Sequence, residues 1–172
     1  MRYGVAFSPE DLEIGASVAV EGVCQSVVAI ENGVIFFEAI KETLERTTLD
    51  ALKVGQKVNI ERSARLGDEM GGHLLSGHIY CKGKITAIED NVYTIDLGKS
   101  DYLFEKGFVA IDGMSLTVVK VMDHAFTVHL IPETLKWFKK GIGDLVNIEF
   151  DSLTIAAVET VKKYIGNSIQ SM

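Results

Sequence analysis

One stretch of this chain occurs twice, and no other feature restricts its fold as strongly. Val20-Glu21-Gly22-Val23-Cys24-Gln25-Ser26-Val27-Val28 returns as Ile111-Asp112-Gly113-Met114-Ser115-Leu116-Thr117-Val118-Val119, 91 positions later (111 − 20 = 91). Glu42-Thr43-Leu44 returns at the same shift as Glu133-Thr134-Leu135, and Val58-Asn59-Ile60-Glu61 returns as Val146-Asn147-Ile148-Glu149 after a three-residue deletion (146 − 58 = 88). Three matches in one order at nearly one spacing mark an internal duplication. Two similar units imply two similar pockets, and so a protein that holds two copies of one small molecule.

A chain of 172 residues with 47% apolar content can bury a core, either as one domain or as two units of about 80 residues. Its formal charge of −7 argues against nucleic acid or an anionic membrane as a partner, because polyanions attract basic surfaces. An anionic ligand would need locally placed cations. No apolar run approaches the roughly 18 residues that span a bilayer, and Met1-Arg2-Tyr3-Gly4 lacks the apolar core of a signal peptide. The expected location is the cytoplasm. Cys24 and Cys81 form neither a disulfide framework nor a CxxC pair.

Most of the chain reads as short strands rich in β-branched and aromatic residues: 17–20, 34–37, 58–61, 108–111, 125–130 and 145–150. Turn signals separate them at Glu31-Asn32-Gly33, Lys53-Val54-Gly55, Glu89-Asp90-Asn91 and Ile142-Gly143-Asp144. Short strands at even spacing favour small barrels over a doubly wound sheet. Helical connections are expected from Lys41 to Leu52 and from Glu133 to Lys140. Beyond Asp151, Ile155, Val158, Val161 and Ile165 recur at helical spacing, a stripe that packs on its own barrel or on another subunit. The units differ at the front. The second has a strand region beginning near Leu75-Ser76-Gly77-His78, whose counterpart in the first would precede Met1. The first unit is therefore expected to lack its opening strand, leaving an open edge.

Four strings carry a resemblance: Gly15 to Cys24, Gly71 to Ile79, Lys106 to Val118 and His129 to Leu135 are similar to riboflavin synthase of the alpha-chain type, over about 14–161. The resemblance implies an all-β chain of two tandem six-stranded Greek-key barrels, at 1–73 and 74–153, and an oligomerisation helix at 154–172 that gathers three subunits. It also implies the activity, a dismutation of two 6,7-dimethyl-8-ribityllumazine molecules to riboflavin and 5-amino-6-ribitylamino-uracil. A four-carbon unit passes from one lumazine to the other with no metal or redox cofactor. The implied active site lies between the first barrel of one subunit and the second barrel of a neighbour, and association with lumazine synthase is a further expectation.

Carried over residue by residue, Ser115, Leu116 and Thr117 match the ring-binding strand edge of the second barrel, and Cys24, Gln25 and Ser26 occupy that place in the first. Gly77, His78 and Ile79 match another ligand-contacting strand. Lys106 and the segment Leu130, Ile131, Pro132, Glu133 and Thr134 match positions that hold the second ligand, and Glu38, Lys41 and Thr43 are their first-barrel counterparts near the ribityl chain. Cys24, His73, His78, Asp112, Ser115 and Asp151 match polar positions expected to serve catalysis, with Ser17 beside them as a ligand contact. The chain departs from the family in lacking a Phe-Thr-Gly opening segment and in having Cys24-Gln25-Ser26 where Cys-Leu-Thr is usual.

Each residue also has a plainer reading. A lone Cys in a strand is commonly a small buried hydrophobe. His73 and His78, five apart, suit neither a helical zinc pair nor one face of a strand, so no metal site is expected. Glu21-Gly22 and Asp112-Gly113 are ordinary hairpin turns taken alone. Asp151 can cap the last helix. The glycines around His73 do not form GxGxxG, so a Rossmann reading fails. Two functions from different classes remain open: the enzyme, and a non-catalytic lumazine or flavin binder of the same fold.

Overall fold

The computed structural model describes residues 1–7 and 10–170, with 167–170 as backbone only. Five strands build the first unit: β1 (Arg2–Ala6), β2 (Ser17–Val20), β3 (Val23–Glu31), β4 (Val34–Glu38) and β5 (Ile60–Arg62). Six build the second: β6 (Cys81–Glu89), β7 (Val92–Asp96), β8 (Phe108–Ile111), β9 (Met114–Val121), β10 (Ala125–His129) and β11 (Leu145–Phe150). Helix α1 (Lys41–Arg46) lies between β4 and β5, α2 (Pro132–Trp137) between β10 and β11, and α3 (Ser152–Gln170) ends the described chain.

All pairing is antiparallel. The second unit closes in the order β10-β7-β6-β11-β8-β9, while the first is an open sheet in the order β1-β4-β3-β2-β5. Superposing the orders makes β1 the counterpart of β7 and β5 the counterpart of β11. The place that β6 fills between β7 and β11 is therefore the gap between β1 and β5, where the expected open edge lies. Arg62 reaches across this edge to the carbonyls of Glu10 and Asp11, at 2.9 and 3.1 Å.

The expected strands at 17–20 and 108–111 run residue for residue as β2 and β8. The opening strand of the second unit starts at Cys81 and not near Leu75, because Gly77 turns the chain through a φ of +74° and Glu149 takes up the Ser76 and Gly77 N–H groups. The nine-residue β3 and eight-residue β9 carry the strand edges expected at Cys24 to Ser26 and Ser115 to Thr117. Each carries one extra residue, Val28 and Val119, which interrupts the alternation of period two at equivalent positions of the repeat.

Inward-facing positions form two cores. The closed barrel buries Ile85, Ile95, Val109, Ile111, Val118, Phe126, Val128, Val146 and Ile148; the open sheet buries Val18, Val20, Val27, Ile35, Phe37 and Leu49. Ile155 and Val158 of α3 lie on the core of the second barrel, while Val161 and Ile165 stand out, 56% and 53% exposed. Half of the apolar stripe thus covers its own barrel and half is bare. The last two positions of the expected helix, 171 and 172, lie outside the described residues.

The units meet through equivalent hairpin turns. Glu21-Gly22 joins β2 to β3 and Asp112-Gly113 joins β8 to β9, with φ of +50°, +76°, +48° and +87°. Two consecutive positive φ values define the turn that matches strand twist. Glycine is required at the second position for contact as well, since a Cβ on Gly22 would stand 2.2 Å from the Gly113 nitrogen. Beside the turns, the Glu21 carboxylate accepts the Asn59 N–H at 2.6 Å and the Asp112 carboxylate accepts the Asn147 N–H at 2.7 Å. Lys140 stands between both carboxylates, at 3.1 Å from Glu21 and 3.8 Å from Asp112. Asn147 crosses the seam, donating through Nδ2 to the Glu21 carbonyl (2.8 Å) and the Thr48 hydroxyl (3.0 Å).

Candidate functional site

The segment from Gly71 to Ile79 threads between the units and builds the site. Its first contact is with β9, where the His73 N–H donates to the Ser115 hydroxyl oxygen at 3.1 Å and His73 Nδ1 lies 2.7 Å from the same oxygen. The imidazole stacks on Phe108, with ring centroids 5.2 Å apart and planes 15° apart. Its next contact is with β3, where the Cys24 N–H donates to the Gly77 carbonyl at 2.9 Å. Both approaches demand glycine: a Cβ on Gly72 would lie 2.5 Å from the Ser115 hydroxyl, and one on Gly77 would lie 2.7 Å from the Cys24 nitrogen. Cys24 and Ser115 occupy equivalent places in the repeat (115 − 24 = 91).

These contacts enclose a cavity of about 330 Å³ whose lining includes Ser17, Cys24, His73, Gly77, Ser115 and Glu149. Burial depresses the His73 imidazole below its ordinary value, against the opposing charges of Asp151 and Glu149, so the ring is neutral at pH 7. Its Nε2 is buried and has no hydrogen-bond partner among the described residues. A neutral imidazole beside a hydroxyl can accept or pass a proton.

Five of the residues expected from sequence, Ser17, Cys24, His73, Gly77 and Ser115, thus come together on one cavity. His78 is exposed next to it, with Nδ1 3.0 Å from the Ser76 hydroxyl. Asp112 is turned into the seam, where burial pushes its carboxyl up to about 7 despite the attraction of Lys140. Asp151 caps α3, accepting the Thr154 N–H and hydroxyl at 3.0 and 2.8 Å; burial raises its carboxyl, but these bonds outweigh burial and hold it below the ordinary range.

The other expected ligand contacts lie away from the cavity. Gln25 points into the first core and donates to the Cys24 carbonyl, while its Oε1 is buried without a partner among the described residues. Ser26 and Thr117 are exposed, Leu116 is in the second core, and Ile79 packs on the first. Glu38 ends β4, Lys41 pairs with Glu45 on α1, and the Thr43 carbonyl accepts the Thr47 N–H. Lys106 sits at a φ of +69°, its N–H donating to Val118. Leu130 is buried, Ile131 is 62% exposed, Pro132 opens α2, Glu133 pairs with Lys136, and the Thr134 carbonyl accepts the Phe138 N–H.

Glu61, Arg62 and Glu149 also line the cavity and were not among the expected site residues. A signal for two of them was present, since Glu61 and Glu149 end the repeated Val-Asn-Ile-Glu string. Ser76, which binds Glu149, carried no such mark.

The lumazine binding domain family matches residues 2–63 and 76–151, the two units just described. Riboflavin synthase of Chlamydia pneumoniae is 47% identical over 162 residues, covering 91% of this chain and 81% of that one. The Escherichia coli riboflavin synthase is 45% identical over 167 residues, covering 91% and 78%. The chain belongs to the riboflavin synthase family. Among solved structures, LumP complexed with 6,7-dimethyl-8-(1'-D-ribityl) lumazine is similar with a TM-score of 0.71 and 25% identity over 86% of each chain. LumP complexed with flavin mononucleotide is similar with a TM-score of 0.73 and 26% identity over 87% of each chain. In this member of the riboflavin synthase family, His73 falls between the two matched units, on the segment that joins them.

Proposed function

We propose that the chain acts as a riboflavin synthase, converting two 6,7-dimethyl-8-ribityllumazine molecules to riboflavin and 5-amino-6-ribitylamino-uracil. The observation that carries this reading is the meeting of Cys24 and Ser115, equivalent residues of two lumazine-binding units, on one cavity with a neutral His73. Both reactants are the same compound, so a duplicated unit suits them. One lumazine loses a methyl proton and becomes the carbon nucleophile, and the other receives the attack on its ring. The four-carbon unit then passes to the acceptor.

Within this reading His73 accepts or returns a proton, Ser115 orients it, and the Cys24 and Ser115 edges meet the rings. His78 is a second proton-transfer group. Asp151 orients His73 by its charge, and Asp112 acts through the seam that sets the spacing of the two edges. Fixing two bulky heterocycles face to face contributes much of the rate, up to about 7–11 kcal/mol in well-oriented systems. The positions around Lys106, Leu130 to Thr134 and Glu38 to Thr43 hold the outer parts of the ligands. The bare half of the α3 stripe gathers three copies. The cytoplasm is the proposed location and lumazine synthase a proposed associate; among the described residues no helix is long and apolar enough to cross a membrane.

A second reading, a lumazine or flavin binder without turnover, is favoured by the likeness to LumP. Incubating the purified chain with the lumazine alone and following riboflavin absorbance separates the two. Riboflavin formation supports the synthase; saturable binding with the lumazine recovered unchanged supports the binder.

A further inference from the structure

Glu149 lies almost wholly buried at 5% exposure on β11, yet makes no ion pair among the described residues. Its side-chain hydrogen bonds run to the segment before β6. Its Oε1 accepts the Ser76 N–H at 2.8 Å and the Ser76 hydroxyl at 2.9 Å, and its Oε2 accepts the Gly77 N–H at 3.0 Å. Backbone N–H groups can only donate, so both oxygens are acceptors, and the single proton of the Ser76 hydroxyl is committed to the carboxylate. The Ser76 oxygen can then only accept from its other neighbour, His78 Nδ1, at 3.0 Å.

We propose that Glu149 and Ser76 are positioning residues for His78. Whenever its ring is neutral, they keep its proton on Nδ1 and leave the lone pair on Nε2, aimed outward as a proton acceptor. The partner of one ring nitrogen decides which tautomer is present, and here the partner leaves one choice. The same carboxylate sets where His78 stands, since it clamps the two N–H groups immediately before it. The catalytic use of that lone pair rests on the synthase reading; the tautomer does not.

The experiment pairs nitrogen NMR of the imidazoles with steady-state kinetics on the full chain, in wild type, S76A, S76T and E149Q. Wild type is expected to show the Nδ1–H form of neutral His78. S76A keeps the carboxylate clamp on the backbone but cuts the relay, so it should move His78 toward the Nε2–H form. Its kcat should fall about ten- to a hundredfold with KM changed less than about twofold, and S76T should restore both. E149Q should lose the tautomer and the turnover together. An Nε2–H form of His78 in wild type, or a tautomer and kcat unmoved in S76A, overturns the proposal. If wild type makes no riboflavin while His78 holds the Nδ1–H form and S76A loses it, the synthase reading falls and the relay stands.

Discussion

At the scale of single residues, the site depends on keeping an imidazole neutral and a carboxyl in check. His73 is held below its ordinary value by burial, so it can accept a proton at neutral pH. Replacing it in H73A, or removing its partner in S115A, should lower kcat by about a hundredfold, read as the initial rate of riboflavin formation. Asp112 behaves oppositely. Its carboxyl, pushed up to about 7 by burial, binds its proton more tightly folded than unfolded. That contribution to stability is complete below the ordinary carboxylate range, near 4, and is lost as pH rises toward 7. Lys140 and Glu21 face the same group with opposite charges, and Lys140 tempers the loss. D112N keeps an oxygen for the Asn147 N–H without the titration, so urea denaturation of D112N should vary less between pH 4 and 8 than that of wild type. An unchanged slope with pH would refute the assignment. The resemblance named Cys24, His73 and Ser115, and the fold brings them onto one cavity; it did not separate Asp112, which serves the seam, from the residues that line the cavity. Hairpin position alone says nothing about which way a carboxylate turns.

At the scale of elements, the linker from Gly71 to Ile79 does as much as any strand to position the site. It is bonded to β9 through His73, to β3 through Cys24 and to β11 through Glu149. Two glycines permit the approach. An alanine at Gly77 meets both a φ of +74° and a Cys24 nitrogen 2.7 Å away, so G77A should cost about 2–3 kcal/mol and weaken lumazine binding with it. Chemical denaturation monitored beside ligand titration checks both. This element was only partly legible beforehand. Strands β2 and β8 announced themselves by short runs of β-branched residues, whereas bulges at Val28 and Val119 mask the full lengths of β3 and β9, and the run from Leu75 to His78 resembles the start of a strand. What decided its course was a carboxylate 73 positions away in the chain (149 − 76 = 73), which local pattern cannot show.

At the scale of the whole molecule, duplication has produced one closed barrel and one open sheet, joined at equivalent turns across Lys140. The duplication and the open edge were legible because the repeat could be aligned with itself, while the six-stranded barrels came from the family resemblance. The seam was not legible, since it depends on the close packing of Gly22 against Gly113. Helix α3 leaves Val161 and Ile165 exposed, and as the proposed trimer contact they should matter only between copies. V161D with I165D should turn a trimer into a monomer by sedimentation at micromolar concentration, with the barrel still folded by circular dichroism. A wild-type monomer at that concentration would refute the contact. Two copies of one lumazine reacting across the two units fix a stoichiometry, and counting molecules tests it. With no added cofactor, the purified chain should consume two 6,7-dimethyl-8-ribityllumazine molecules for each riboflavin and each 5-amino-6-ribitylamino-uracil released. Lumazine recovered intact, or one lumazine consumed per riboflavin, would contradict it.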